Sequence, residues 1–325
     1  MTSFTAARAG TIGADTTAIY QKVFPGEVLT ALKRATFMDD SKQQVRTIQN
    51  GKSAGFPAHG RLTAAYHTVG TTLTGQSITN GEKLISIDGV LVADAFHADI
   101  DEAMTHYDQR SVIAEELGQA LARTYDLNSI RTLILAARST ADANPGGFNG
   151  GRIQNSDLTG DGSPSMLTEG DALAEAVFKA AQMLDEKFVP DMDDRWAAFR
   201  PAQYNLLVRQ TSVINKDWGG AGSYADGVVH RIGGVKIAKS NNVLADDTSD
   251  GTDADGNSVL AKYRVNASNN VGVVFNRRAV GVVKLMDLKV RKDYMPRELG
   301  WFLAASQATG HGILRPECAV ELYTS

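Results

Sequence analysis

The five residues Gly51-Lys52-Ser53-Ala54-Gly55 are the ones whose types and spacing most resemble a catalytic device. A serine between glycines at this spacing is the pattern of a nucleophile elbow, where a strained turn between a strand and a helix lifts the hydroxyl toward substrate. Here Phe56-Pro57 follows directly and Gly60 comes soon after, so the chain is expected to stay extended. No histidine and acid stand at persuasive positions to complete a triad. Gly51-Lys52-Ser53 also ends like a phosphate-binding loop, but Arg46 occupies the place of that loop's first glycine and no helix is expected to follow.

A second cluster holds His97, Asp99, Asp101, Glu102, His106 and Asp108. Glu102 and His106 would share one face of a helix, where they could ligate a metal. Asp99 and Asp101 are better explained as first-turn residues, since carboxylates there meet unpaired N–H groups and the positive end of the helix dipole. Asp157, Asp161 and Gly162, and again Asp253, Asp255 and Gly256, imitate calcium loops. The first has Thr168 where the bidentate glutamate belongs and the second has Leu or Ala near that point, so both read as solvated turns. Cys318 is the only cysteine; it cannot form an internal disulfide and reads as a small buried hydrophobe. No cofactor, metal site or catalytic group is expected.

Composition narrows the function classes further. With 43% hydrophobic and 22% charged residues the chain can bury a core, and its formal net charge is −4. A protein that grips nucleic acid electrostatically usually carries a basic excess or stripe, and neither is visible along this sequence. The stretch Met1 to Thr17 is small and polar, without the apolar core of a signal peptide, and no run of eighteen apolar residues predicts a membrane span.

The elements that would position these residues segregate along the chain. Ala18 to Arg34 has helical periodicity interrupted by Pro25-Gly26, which predicts two short pieces. Val45 to Asp94 is rich in Thr, Val, Ile and Gly and predicts strands with turns. Its middle, Lys52 to Lys83, holds few large apolar residues, so a two-stranded excursion there cannot build its own core and must lie on something else. Asp108 to Arg138 gives the strongest helical pattern, weakened only at Gly118, and would be roughly 45 Å long at 1.5 Å per residue. A loop rich in Gly, Asn, Ser and Asp is expected from Ser139 to Pro164, then a helix from about Glu169 to Phe188 with Thr168 and Asp171 at capping-box spacing. Arg195 to Gln210 reads as a strand, a turn and a short helix; strands are expected around Gly233-Gly234, over Val271 to Val290 and at Leu314 to Tyr323, with an acidic surface loop at Asp246 to Ser258. The fold class is α+β.

Several strings, in order, resemble the major capsid proteins of T-seven-like podoviruses, which have the Hong Kong 97 capsid fold. They are Lys22-Val23-Phe24-Pro25-Gly26-Glu27-Val28-Leu29-Thr30-Ala31; Val45-Arg46-Thr47-Ile48 leading to Gly51-Lys52-Ser53-Ala54, Phe56-Pro57, Gly60-Arg61 and Ala64-Ala65-Tyr66; Ile87-Asp88-Gly89 with Ala93-Asp94; Asp99-Ile100, Ala103-Met104, His106-Tyr107-Asp108 and Arg110-Ser111. Near the end come Ala279-Val280-Gly281, Val283-Lys284-Leu285, Asp287-Leu288, Gly310-His311-Gly312 and Leu314-Arg315-Pro316-Glu317. The N-terminal arm, the glycine-rich loop after the long helix and the acidic loop near Asp250 depart from the pattern.

The resemblance implies an N-terminal arm (1–44), an extended E-loop hairpin with flanking strands (45–94), a peripheral domain with a spine helix (95–170), an axial domain (171–278) and a return to the peripheral domain (279–325). It implies a virion protein, assembled in the host bacterial cytoplasm. Hexamers and pentamers of this one chain would form an icosahedral head shell around double-stranded DNA, with weak, unspecific DNA contact. Scaffolding and portal proteins are implied partners, and a decoration protein is a further candidate. The hairpin would cross a neighbouring subunit, with Phe56, Leu62, Tyr66 and Ile78 as apolar anchors and Lys52, Arg61, Lys83 and Asp88 as polar registry. Asp217-Trp218-Gly219-Gly220 would be an axial contact loop. The rival readings are an encapsulin-like cellular compartment, which shares the fold, and an enzyme: a hydrolase using Ser53 or a metal enzyme using His97 and His106.

Overall fold

The computed structural model describes residues 28, 30–32, 36–60, 62, 64–77, 80–100, 109–140, 149–158, 165–190, 194–210, 229 and 231–324. In chain order the elements are β1 (Gln44–Thr47), β2 (Ser53–His59), β3 (Asn80–Ser86), β4 (Leu91–Ala98), α1 (Gln109–Ala137), β5 (Gly151–Gln154), α2 (Gly170–Glu186), β6 (Arg195–Phe199) and α3 (Pro201–Arg209). They continue with β7 (Arg231–Ile232), β8 (Val235–Lys239), β9 (Asn270–Asn276), β10 (Val280–Met295), β11 (Gly300–Ile313) and β12 (Ala319–Tyr323). Helices and strands segregate as an α+β protein should. The chain divides into two compact units, and α1, β10 and β11 contribute residues to both.

The larger unit comprises Phe37–Gly89, Thr124–Leu285 and Thr309–Ser325. Its centre is a mixed six-stranded sheet in the order β5-β12-β9-β6-β8-β7. β9 is buried along its whole length, which explains why Val271, Val273, Val274 and Phe275 come as a run and not in alternation. Ile130, Leu133 and Ile134 of α1 and Leu173, Val177 and Leu184 of α2 join those side chains in one core. In this half α1 is surrounded and has no single apolar stripe; even Asp126, Ser129, Arg131 and Thr132 are buried. Asp126 is matched by three donors: the N–H groups of Phe37 and Met38, at 2.7 and 2.9 Å, and the Asn242 amide at 3.0 Å. Burial raises its pKa, and those backbone bonds oppose the shift.

The smaller unit comprises Val90–Arg123, Met286–Ala308 and the described residues of Met1–Thr36. Within it β4 and β11 pair antiparallel, from Gly300↔Ala98 to Gln307↔Leu91. Leu303 and Ala305 pack against Leu117 and Leu121 of α1 and against Val28. Gly118, the weak point of the helical pattern, has a packing reason: a Cβ there would lie 2.7 Å from the Val28 carbonyl oxygen and the Ala31 Cβ.

Three expectations change. The loop expected over Ser139 to Pro164 contains β5, whose residues Gly151 to Gln154 pair in parallel with Val320 to Tyr323 of β12; residues 141–148 and 159–164 lie outside the described ones. The capping box at Thr168 and Asp171 does not form. Ser165 to Thr168 winds as a turn, Glu169 is the N-cap, and the Asp171 carboxylate instead accepts from the Gln210 amide. Finally β11, fourteen residues long, stands where the sequence predicts no strand, because Gly300, Ala304, Ala305, Ala308, Gly310 and Gly312 give it neither strand propensity nor an apolar alternation. Its pairing with β4 supplies what composition does not.

Candidate subunit interface

The hairpin β2–β3 runs from Ser53↔Ser86 at its root to His59↔Asn80, and among the described residues neither strand has another partner. Its root sits in a cluster of Ala54, Ile85, Val283 and Leu314, with Ile48, Phe56 and Ile87 packed at the margin. Ile85 reaches this cluster because Gly281 and Gly312 lack side chains; a Cβ at Gly312 would lie 2.7 Å from the Ile85 Cγ1. The return from β3 to β4 is tied down by polar contacts. The Asp88 N–H donates to the Thr309 carbonyl at 3.2 Å, and the Asp88 carboxylate accepts from the Tyr263 hydroxyl and the Lys262 ammonium.

Beyond His59 none of the described residues forms a strand until Asn80, and almost all of them are exposed. Leu62, Tyr66, Val69 and Leu73 are 58, 107, 96 and 79% exposed. Gly70 and Gly75 have φ of +93° and +72°, and no atom lies within 4 Å of a Cβ built at either. Apolar side chains on an excursion without packing are the mark of a surface completed by something else.

The residues expected to carry this surface fall into three groups. Leu62, Tyr66 and Lys52 are exposed. Phe56, Lys83 and Asp88 are half-buried: Phe56 packs on the root cluster beneath the Arg46 guanidinium, 5.4 Å from the ring centre, Lys83 pairs with it in the hairpin register, and Asp88 is held as described. Arg61 and Ile78 lie outside the described residues, as do Asp217, Trp218, Gly219 and Gly220. Sequence reasoning missed Val69 and Leu73 as tip residues, although both stand in the stretch recognised as coreless.

Ser53 is exposed and opens β2, a strand that runs on to His59 with no helix behind it. His97 is buried on β4, and the Asp99 carboxylate accepts from the Tyr294 hydroxyl at 2.7 Å; residues 101–108 lie outside the described ones. Asp253 binds its own loop, accepting from the Asn257 N–H at 2.7 Å, and Asp157 accepts from the Gln154 N–H at 2.7 Å. Asp161 and Gly162 lie outside the described residues. Among the described residues no cluster of three or more His, Cys, Asp or Glu could hold a metal, and no helix is long and apolar enough to cross a membrane. Cys318 is buried, and burial pushes its thiol up to about 12, the inert condition of a structural cysteine.

Residues 55–323 match the model of a protein family described as Gp10A-like, major capsid protein. The major capsid protein of Escherichia phage T7 is 31% identical over 321 residues, covering 94% of this chain and 91% of that one. That of Enterobacteria phage T3 is 31% identical over 334 residues, covering 95 and 92%. Among solved structures, a capsid chain of the cyanophage P-SCSP1u superposes with a TM-score of 0.74 at 41% identity, covering 90% of this chain and 88% of that one.

Proposed function

The chain belongs to the Gp10A-like family of major capsid proteins, and from that premise we propose how its surface builds a phage head. It is a structural component of the virion with the Hong Kong 97 fold, and copies of it assemble into capsomers and then a shell. In our reading the capsomers are hexamers and pentamers that close an icosahedral container around double-stranded DNA. The hairpin Ser53 to Ser86 lies over a neighbouring copy and supplies much of the contact between copies.

The observation that carries this reading is the bare hairpin tip, where Leu62, Tyr66, Val69 and Leu73 stay largely uncovered by the described residues of their own chain. Burying each would stabilise an interface by about 2 kcal/mol. Four such anchors would form the apolar centre of a contact of ordinary size, about 1,600 Å² in total, that still dissociates when misplaced. The root residues Phe56 and Ile85 serve a different purpose, fixing the direction in which the tip leaves. The sequence 217–220 remains our candidate for a second contact, near the symmetry axes. Scaffolding and portal proteins would act during assembly in the bacterial cytoplasm, a decoration protein could be added to the finished shell, and DNA would be touched only weakly.

The test is a Leu62→Ser, Tyr66→Ser, Leu73→Ser variant viewed by electron microscopy beside the wild type. Folded protomers without closed shells are expected. Normal shells from the variant would remove the hairpin tip from the interface. Phe56 is left unchanged in this test, since its loss would also loosen the protomer's own root cluster.

A further inference from the structure

Beside the hairpin root, the larger unit carries a groove lined by more cationic side chains than its own carboxylates match. Phe56 and Leu314 form its floor, and Lys83, Arg278 and Arg315 its rim. An adjoining hollow shares Phe56 and Arg278 and adds Arg46, Arg277 and Asp194. Another shares Arg278 and Arg315 and adds Glu317. Five cationic side chains thus meet two carboxylates, and the one ion pair among them is Arg315 to Glu317 at 3.8 Å. Like charges gathered on a compact chain repel one another, so a basic groove in a net-acidic protein calls for an anionic occupant.

The same chain displays a matching surface. In the acidic loop Asp246 to Asp255, Asp253 is turned inward, 3.9 Å from the buried Arg131, whose charge Asp246 also offsets. Asp250 and Asp255 are exposed, and Leu260 just beyond the loop is 50% exposed. The loop is a built structure. The Val259 N–H donates to the Gly251 carbonyl at 2.8 Å, the Asp253 N–H to the Asn257 carbonyl at 3.0 Å, and the Arg264 guanidinium fills the space a side chain at Gly251 would need. Carboxylates on a fixed frame lose little conformational freedom when they dock.

We infer that the basic groove of one copy receives the acidic loop of a neighbouring copy, with Asp250 and Asp255 paired to the Lys83 and Arg278 rim and Leu260 on the Phe56–Leu314 floor. The inference rests on the shell reading above and adds a second contact to the hairpin tip. The apolar floor decides between occupants, since a nucleic-acid phosphate gains nothing from the uncovered part of Phe56, whereas Leu260, just beyond the acidic loop, does. Groove and loop are different surfaces of one chain, so the contact is head-to-tail and propagates around a ring.

Two charge reversals test this: Lys83→Glu with Arg278→Glu, and Asp250→Lys with Asp255→Lys. Shell yield by electron microscopy and light scattering should fall about tenfold in each, as like charges then face one another, and recover to within about threefold when all four are combined. Circular dichroism checks that each protomer folds. Should a reversal unfold it, Arg278→Gln and Asp250→Asn carry the test, with equal losses that do not add when combined. Normal yield from either reversal, or loss without recovery in the combination, overturns the pairing while leaving the shell reading intact. Normal shells that retain less DNA would assign the groove to phosphate and overturn it likewise. A wild type that closes no shells overturns both readings.

Discussion

The Tyr263 hydroxyl donates to the Asp88 carboxylate across 175 residues of chain and accepts from the His311 N–H at 3.0 Å. Asp88 lies just past β3, so this bond fixes where the hairpin rejoins the body of the larger unit. Burial and the Asp88 charge both hold the phenol far above its ordinary pKa, so it stays a donor at any working pH.

Tyr263→Phe removes both bonds at once and leaves the His311 N–H buried without its acceptor. Urea unfolding should show a loss of about 1–3 kcal/mol. In a cycle with Asp88→Asn the two losses should fail to add by about 1 kcal/mol, because the residues share one network.

Gly310→Ala tests the strand packing beside that bond. A Cβ at Gly310 would lie 2.1 Å from the Ser86 carbonyl oxygen, a backbone atom that cannot step aside. The variant should lose at least about 3 kcal/mol, beyond ordinary overpacking, and yield little folded protomer in thermal melts.

His311 predicts a pH dependence. It is buried against the edges of the Tyr125 and Tyr263 rings, with Nδ1 3.0 Å from the Ser129 hydroxyl. Burial, with the Lys262 and Lys284 charges, holds its pKa down to about 3. The unfolded chain takes up this proton near pH 6.5 and the folded chain does not, so stability is full above that point and falls toward pH 3. The slope should approach about 1.4 kcal/mol per pH unit. In His311→Asn that component of the slope should vanish, whatever the variant's overall stability.

Glu321 is fully buried on β12 and joins two arginines, Arg138 by Nε and Nη2 at 2.8 and 2.5 Å and Arg152 by Nε at 2.9 Å. Glu321→Gln leaves both guanidinium groups facing an amide and should cost about 3 kcal/mol at neutral pH by denaturant melting. Arg152→Gln should cost less, since that side chain is 42% exposed and retains a solvated alternative.

The long helix was legible almost to the residue, because Ile113, Leu117, Leu121, Ile130 and Ile134 recur at its period whether one side of it is buried or all of it. The coreless hairpin was legible too, since a missing core is a property of composition. What stayed hidden depends on distant residues. Gly310 and Gly312 read as strand breakers until Ser86 and Ile85 are seen pressed against them. The basic groove was invisible because Arg46, Lys83, Arg278 and Arg315 come from separate segments, and no window of sequence contains a basic stripe. The acidic loop looked like a solvated run because its buried counter-charge, Arg131, stands more than a hundred residues earlier, inside a helix.

In the larger unit, the six-stranded sheet ends on β5 and β7, of four and two residues, whereas both seven-residue strands of the hairpin keep one side unpaired. Short edges make poor templates for another chain's backbone. A protein that meets many copies of itself at high concentration risks fusing sheets at random into fibres. In the larger unit the freedom to mispair is thus withdrawn from the six-stranded sheet and left to the hairpin, where our proposal has copies of the chain meet.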